Sequence, residues 1–380
     1  MLTARPCAAA QRQARDDVSH QPSPPLQEFT VPHPNTPQAP RPDEVAVRVG
    51  PPPLAHSIVD VIGNTPLVEL HRVVAMLGLD GRILAKLEHL QPGLSKKSRV
   101  AREMVLTARA EGLLHDGQPV VELTSGNTGT GLAIACGALG HPFIAVMSKG
   151  NTVERARMMA ALGAEVVLVD QAPGSRPGEV SGDDLDLVEH EAQQITASRG
   201  AFRADQFRLA SSALAHERGT AEELWVQSEG TIDVFVDFVG SGGSFGGITR
   251  GLRAHNPSVR SYVVEPVGAA VLAGQRVTNP NHPIQGGGYC RTDLPLLDGA
   301  DATGWIQVDG AEATEYARLL ARAEGIFGGF SAGANLAAAV KVLRGQERGA
   351  TVAMLVCDSG LKYLSTDLVP LDPTNEASQQ

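Results

Sequence analysis

Residues 232–239, Ile-Asp-Val-Phe-Val-Asp-Phe-Val, run straight into Gly240-Ser241-Gly242-Gly243-Ser244, and helical spacing of apolar residues starts at Phe245. A chain that leaves a buried strand through a glycine turn and enters a helix at once has few ways to pack. The helix must fold back over the sheet, so the next strand lies parallel to the first. The order recurs. Residues 119–123 read as a buried strand, Thr124-Ser125-Gly126-Asn127-Thr128-Gly129 as a turn, and 132–139 as a helix. Strands at 143–147 and 165–169 flank a helix at 153–162, and residues 172–184 read as a surface loop. Helices at 187–198 and 212–227, a strand at 259–264, helices at 311–324 and 334–343 and a strand at 351–356 continue the alternation. Helices of this length between short apolar runs predict an α/β protein with doubly wound, mostly parallel sheets.

At 380 residues the chain is long enough for two such domains, expected over 54–210 and 211–370. Residues 1–53 hold nearly half of the 25 prolines and few aliphatic side chains, which predicts a disordered tail. Residues 371–380 read as a second, short tail. Arg5, Arg12 and Arg15 with no acid among them resemble the start of a transit peptide, while Asp16, Asp17 and the prolines argue against a long one. A formal charge of −10 argues against nucleic acid as a partner, and no apolar run is long enough to span a membrane. The four cysteines stand far apart without a CxxC pair, which excludes a zinc cluster by spacing and predicts no metal. That cysteine usage fits a reducing, cytoplasmic setting.

Three turns and one lysine carry the chemistry. An apolar run at 83–85 leads to Pro92-Gly93, Ser95 can cap the next helix, and Lys97 opens a helical pattern of Val100, Met104, Val105 and Ala108. A lysine in the first turn of a helix meets the partial positive charge there. Only six lysines stand against 26 arginines, yet Lys96 and Lys97 adjoin. A solvated surface pair is the plain reading; an amine of depressed pKa that forms a Schiff base is the sharper one.

The Thr124–Gly129 turn, between strand and helix, presents amides and the hydroxyls of Thr124, Ser125 and Thr128 to a carboxylate or phosphate. It equally suits an ordinary capped helix start. Gly240 to Ser244 can cradle a phosphate, or a dinucleotide with Glu265 as the ribose acid, although GxGxxG is absent. Ser331 in Phe327-Gly328-Gly329-Phe330-Ser331-Ala332-Gly333 is either an N-cap or a hydroxyl facing a heterocycle nitrogen. One ligand accounts for all of these. Pyridoxal phosphate needs an amine for its aldehyde, a cradle for its phosphate and partners for its ring oxygen and nitrogen, and its amino-acid substrates need a carboxylate nest.

Over residues 56–368 the chain resembles the cysteine synthase and cystathionine β-synthase family, of the tryptophan synthase β-like fold (fold type II). The resemblance implies two domains with the cofactor in the cleft between them. It implies Lys97 as the Schiff-base lysine, in Pro92-x-x-Ser95-x-Lys97, and Thr124 to Gly129 as the loop for substrate carboxylate and ring oxygen, with Asn127 on the cofactor. Gly240, Ser241, Gly242, Gly243 and Ser244 match the phosphate loop, Ser331 the ring-nitrogen serine, and Gln206 a glutamine beside the substrate carboxylate. Gln91, Ser98 and Lys96 depart from the family pattern, and Gln285 to Tyr289 resemble, with changes, the segment at the active-site mouth. The implied reaction is β-replacement on a serine-derived amino acid, foremost O-acetylserine with sulfide, in a homodimer. Cystathionine β-synthase or another β-substituted alanine synthase is the nearest alternative. A serine or threonine dehydratase, a nicotinamide oxidoreductase and a catalytically silent homologue stand further off.

Overall fold

The computed structural model describes residues 54–369, apart from 125, 152, 176–179, 181 and 281. The tails expected at 1–53 and 371–380, and Ser125, lie outside the described residues. In chain order the first half comprises β1 (Leu67–Glu69), α1 (His71–Met76), β2 (Arg82–Lys86), α2 (Lys97–Ala110), β3 (Val120–Leu123), α3 (Asn127–Leu139), β4 (Phe143–Ser148), α4 (Val153–Ala161) and β5 (Glu165–Val169). The second comprises α5 (Gly182–Arg199), β6 (Phe202–Arg203), α6 (Ser211–Ala215), α7 (Ala221–Gln227), β7 (Val234–Phe238), α8 (Gly243–His255), β8 (Arg260–Pro266), β9 (Gly304–Val308), α9 (Gly310–Glu324), α10 (Phe330–Arg344) and β10 (Thr351–Leu355). One π-helical turn, His216–Thr220, joins α6 to α7. Among the described residues no helix is long and apolar enough to cross a membrane.

The strands form a six-stranded sheet in the order β1-β2-β10-β7-β8-β9 and a four-stranded sheet in the order β5-β4-β3-β6. Every pairing is parallel except β1 with β2. Helices cover both faces of each sheet, so the inner strands are apolar on both sides and read as continuous runs rather than alternating ones. Val234, Val236, Val352 and Met354 pack under α9 and α10, while Phe235, Ala353 and Leu355 pack under α7 and α8. A boundary near 210 does not separate the sheets. Arg82 to Lys86 pair with Thr351 to Leu355, so β1 and β2 join the strands of the second half.

That pairing makes α2 the crossover. It leaves the six-stranded sheet at its first residue, Lys97, and buries Val100, Ala101, Met104 and Val105 against α3 and the four-stranded sheet. Gly131 of α3 permits the approach, since a β-carbon there would lie 2.8 Å from the Lys97 carbonyl oxygen and 3.0 Å from Ala101 Cβ. The start of α2 is therefore clamped between the two sheets.

Candidate active site

Four chain segments converge at the carboxyl ends of the strands, the usual place for a ligand in open α/β sheets. β3 ends in the 124–129 turn, β6 in the approach to Gln206, β7 in the 240–244 turn and β10 in Cys357 and Asp358. Lys96, Lys97, Asn127, Thr128, Gln206, Ser241 and Ser331 line one cleft there.

Lys97 Nζ donates to Gln206 Oε1 at 3.0 Å and lies 3.5 Å from Ser241 Oγ. Thr128 Oγ1 donates to the same Gln206 oxygen at 2.6 Å. One oxygen thus gathers the amine, the 124–129 turn and Gln206, with the 240–244 turn opposite. Burial, then the neighbouring Lys96 charge, lower the Lys97 amine from 10.5 to about 8.

Ser95 does not cap α2 in the usual way: Lys97 N reaches Ser95 Oγ at 3.4 Å, and Ser95 bridges to Asp358. Thr124 faces inward. Its hydroxyl accepts from the amides of Gly126 at 3.0 Å and Gly129 at 2.8 Å, fixing the turn from behind. Gly126 has a φ of +133°, and a β-carbon on it would meet Arg155 Cδ at 2.8 Å. Asn127 Nδ2 donates to Asp358 Oδ2 at 2.8 Å, and Lys362 Nζ donates to Asn127 Oδ1 at 2.6 Å. Burial lowers the Lys362 amine to about 8 against the pull of Asp358.

Ser331 is the second residue of α10, and Gly329 occupies the N-cap, so the capping explanation fails. Its hydroxyl lines the cleft together with Cys357, whose thiol burial pushes up to about 12. Glu265 accepts from the amides of Leu272 and Ala273, both at 2.9 Å, and is thereby engaged by its own loop rather than held open for a ribose.

Residues 58–358 match the family model described as pyridoxal-phosphate dependent enzyme. The chain belongs to that family. It is 38% identical over 323 residues to cysteine synthase 3 of Caenorhabditis elegans, covering 84% of this chain and 91% of the relative. It is 36% identical over 328 residues to O-ureido-L-serine synthase of Streptomyces lavendulae, covering 86% and 95%. A crystal structure of cysteine synthase from Entamoeba histolytica superposes with a TM-score of 0.76 at 32% identity, covering 86% of this chain and 95% of the other.

The donor set of this pyridoxal-phosphate family member fits the cofactor. An amine held at about 8 faces a helix N-terminus flanked by Ser241 and Ser244, with a neutral hydroxyl, Ser331, elsewhere in the cleft. Sequence reasoning missed a second layer. Arg155, Phe207, Phe238, Cys357 and Tyr363 also line the cleft, and Tyr289 joins them from the segment expected at its mouth. Beside it Lys96 Nζ lies 3.1 Å from both oxygens of Asp237 and donates to Ser244 Oγ at 2.7 Å. The available signal was Asp237 itself, an acid inside an apolar strand and buried to 0% exposure.

Proposed function

We propose that the chain catalyses β-replacement on a serine-derived amino acid, foremost as a cysteine synthase that joins sulfide to O-acetylserine with loss of acetate. The observation that carries this is a lysine amine of lowered pKa that meets Gln206 on one side and Ser241 of the 240–244 turn on the other, with Thr128 on the same Gln206 oxygen. Lys97 would hold the cofactor aldehyde, the 240–244 turn its phosphate, and Ser331 and Asn127 its ring nitrogen and oxygen. Bound pyridoxal phosphate supplies the electron sink that makes the α-hydrogen acidic and lets the β-substituent leave.

The remaining work falls to the protein. Thr128 and Gln206 are placed to bind the substrate carboxylate, which orients the Cα–H bond toward Lys97. The Lys97 amine, neutral for a useful fraction of the time near pH 8, takes the α-proton at Nζ. Ser331 carries no charge, so the pyridine nitrogen gains no carboxylate partner, which favours prompt elimination over racemisation or transamination. Phe207, Phe238 and Tyr289 give the cleft an aromatic lining that would limit water.

The similarity to O-ureido-L-serine synthase, close to that with the cysteine synthases, favours a second reading in which an oxygen nucleophile replaces sulfide. O-Acetylserine, O-phosphoserine and serine, each with sulfide, hydroxyurea or homocysteine, should separate the readings by product. Lys97→Ala is expected to lose the Schiff-base absorbance and nearly all turnover. Retention of both would refute the assignment.

A further inference from the structure

Lys96 and Lys97 are neighbours in sequence, but their amines diverge onto opposite ends of the same glycine turn. Lys97 Nζ approaches Ser241, the second residue of that turn, at 3.5 Å, and Lys96 Nζ donates to Ser244, the last, at 2.7 Å. Asp237, three residues before Gly240, holds Lys96 in place with both carboxylate oxygens at 3.1 Å. Ser244 Oγ completes the triangle by donating to Asp237 Oδ2 at 2.5 Å. Asn335 Nδ2, at 3.3 Å from Asp237 Oδ1, braces the carboxylate from below. The Asp237 side chain is fully buried and that of Lys96 only 12% exposed, yet Lys96 lines the cleft.

We propose that Lys96 is a second cofactor-binding amine, which recognises the phosphate of pyridoxal phosphate at the Ser244 end of the turn. The charge arithmetic favours this role. A buried Asp237 without a cation would repel a phosphate arriving at the N-terminus of α8. With Lys96 beside it the pair is neutral, and an ammonium with three donors can serve a carboxylate and a phosphate together. Ser244, bonded to both partners, relays the arrival of the phosphate to the pair. Asp237 thereby acts as a positioning residue: it keeps the amine at the turn before the cofactor binds.

The test separates phosphate recognition from folding and from Schiff-base formation. Full-length protein stripped of cofactor with hydroxylamine is titrated with pyridoxal 5'-phosphate and, separately, with pyridoxal, which lacks the phosphate. Any change in the Lys97 amine affects both ligands alike, so the ratio of the two dissociation constants is the readout. Lys96→Met should reduce the preference for the phosphorylated ligand roughly 10- to 100-fold, the scale of a lost charge-assisted hydrogen bond. Asp237→Asn keeps an oxygen that can accept from Lys96 and so hold it at the turn, but removes the negative charge, and should increase that preference. The double variant Lys96→Met/Asp237→Asn removes both charges, avoids an unpaired buried carboxylate, and should still show the reduced preference. An unchanged ratio in the Lys96 variants, or equal weakening of both ligands, would overturn the proposal.

Discussion

A lysine amine can attack an aldehyde or accept a proton only when neutral, and at its ordinary 10.5 it would be almost wholly charged at physiological pH. Burial at the start of α2 and the adjacent Lys96 charge bring Lys97 down to about 8, so the competent form is already present near neutrality. Cofactor uptake by the stripped protein should therefore accelerate as pH rises, half-maximally near 8, and level off above it. Lys96→Met removes a like charge, raises the Lys97 pKa and should move the midpoint to higher pH. Stopped-flow absorbance from pH 6 to 10 measures both profiles; a wild-type rate still climbing steeply at pH 10 would show an unperturbed amine. The same depression gives a stability trend. Between about 8 and 10.5 the unfolded chain binds the extra proton, so the Lys97 contribution to stability grows as pH rises through that window.

At the scale of elements, the first turn of α2 is held by charges as well as by packing. Arg99 Nη2 lies 2.7 Å from Glu88 Oε1 and its Nη1 2.6 Å from Glu223 Oε1, while Lys86 Nζ lies 2.7 Å from Glu223 Oε2. This neutral group of four ties α2 to the end of β2 and to α7, and all its members are buried. Arg99→Met strands two carboxylates with one cation and should cost about 3–5 kcal/mol in urea unfolding. The pH dependence should change sign as well. Burial alone would raise Glu88, but Arg99 holds it down at about 2, so wild-type stability from this group is present above about 4.5 and lost as pH falls toward 2. Without Arg99 the burial effect prevails, Glu88 rises, and mild acidification should instead recover part of the loss.

The alternation of strands and helices was legible because it rests on local periodicity, and so were the turns that open α2, α3, α8 and α10. What escaped depends on partners distant in sequence. Thr351 must find Arg82 before β2 can be assigned to the larger sheet, and Asn127 must find Asp358 before its amide has a role. β9 lies beyond a loop-rich stretch and escaped the sequence reading for want of flanking periodicity. Asp237 was visible as an acid in an apolar strand, but only the fold shows that Lys96 answers it.

For the whole molecule, the decisive relation is between the layer of the four-stranded sheet and the loop beyond β8, because the cleft opens between them. Arg155, on α4, reaches across to hydrogen-bond Gln285 Oε1, and its guanidinium lies 5.7 Å from the centre of the Tyr363 ring. Gln285 follows β8, and Gln285, Arg155 and Tyr363 all line the cleft. The bridge joins two residues that line the same cleft as Lys97. Its function would be to keep water from the reaction between loss of the leaving group and arrival of the nucleophile, when hydrolysis diverts substrate to pyruvate. Gln285→Ala removes one partner of a partly exposed contact, so its effect on stability should stay within about 0.5 kcal/mol. The chemical effect should be larger. At fixed, subsaturating sulfide the ratio of pyruvate to cysteine should rise several-fold, and kcat/KM for the amino acid should fall by a similar factor. If the pyruvate ratio stays at the wild-type value while KM rises, the bridge serves substrate binding alone, and water is excluded by the aromatic wall of Phe207, Phe238 and Tyr289.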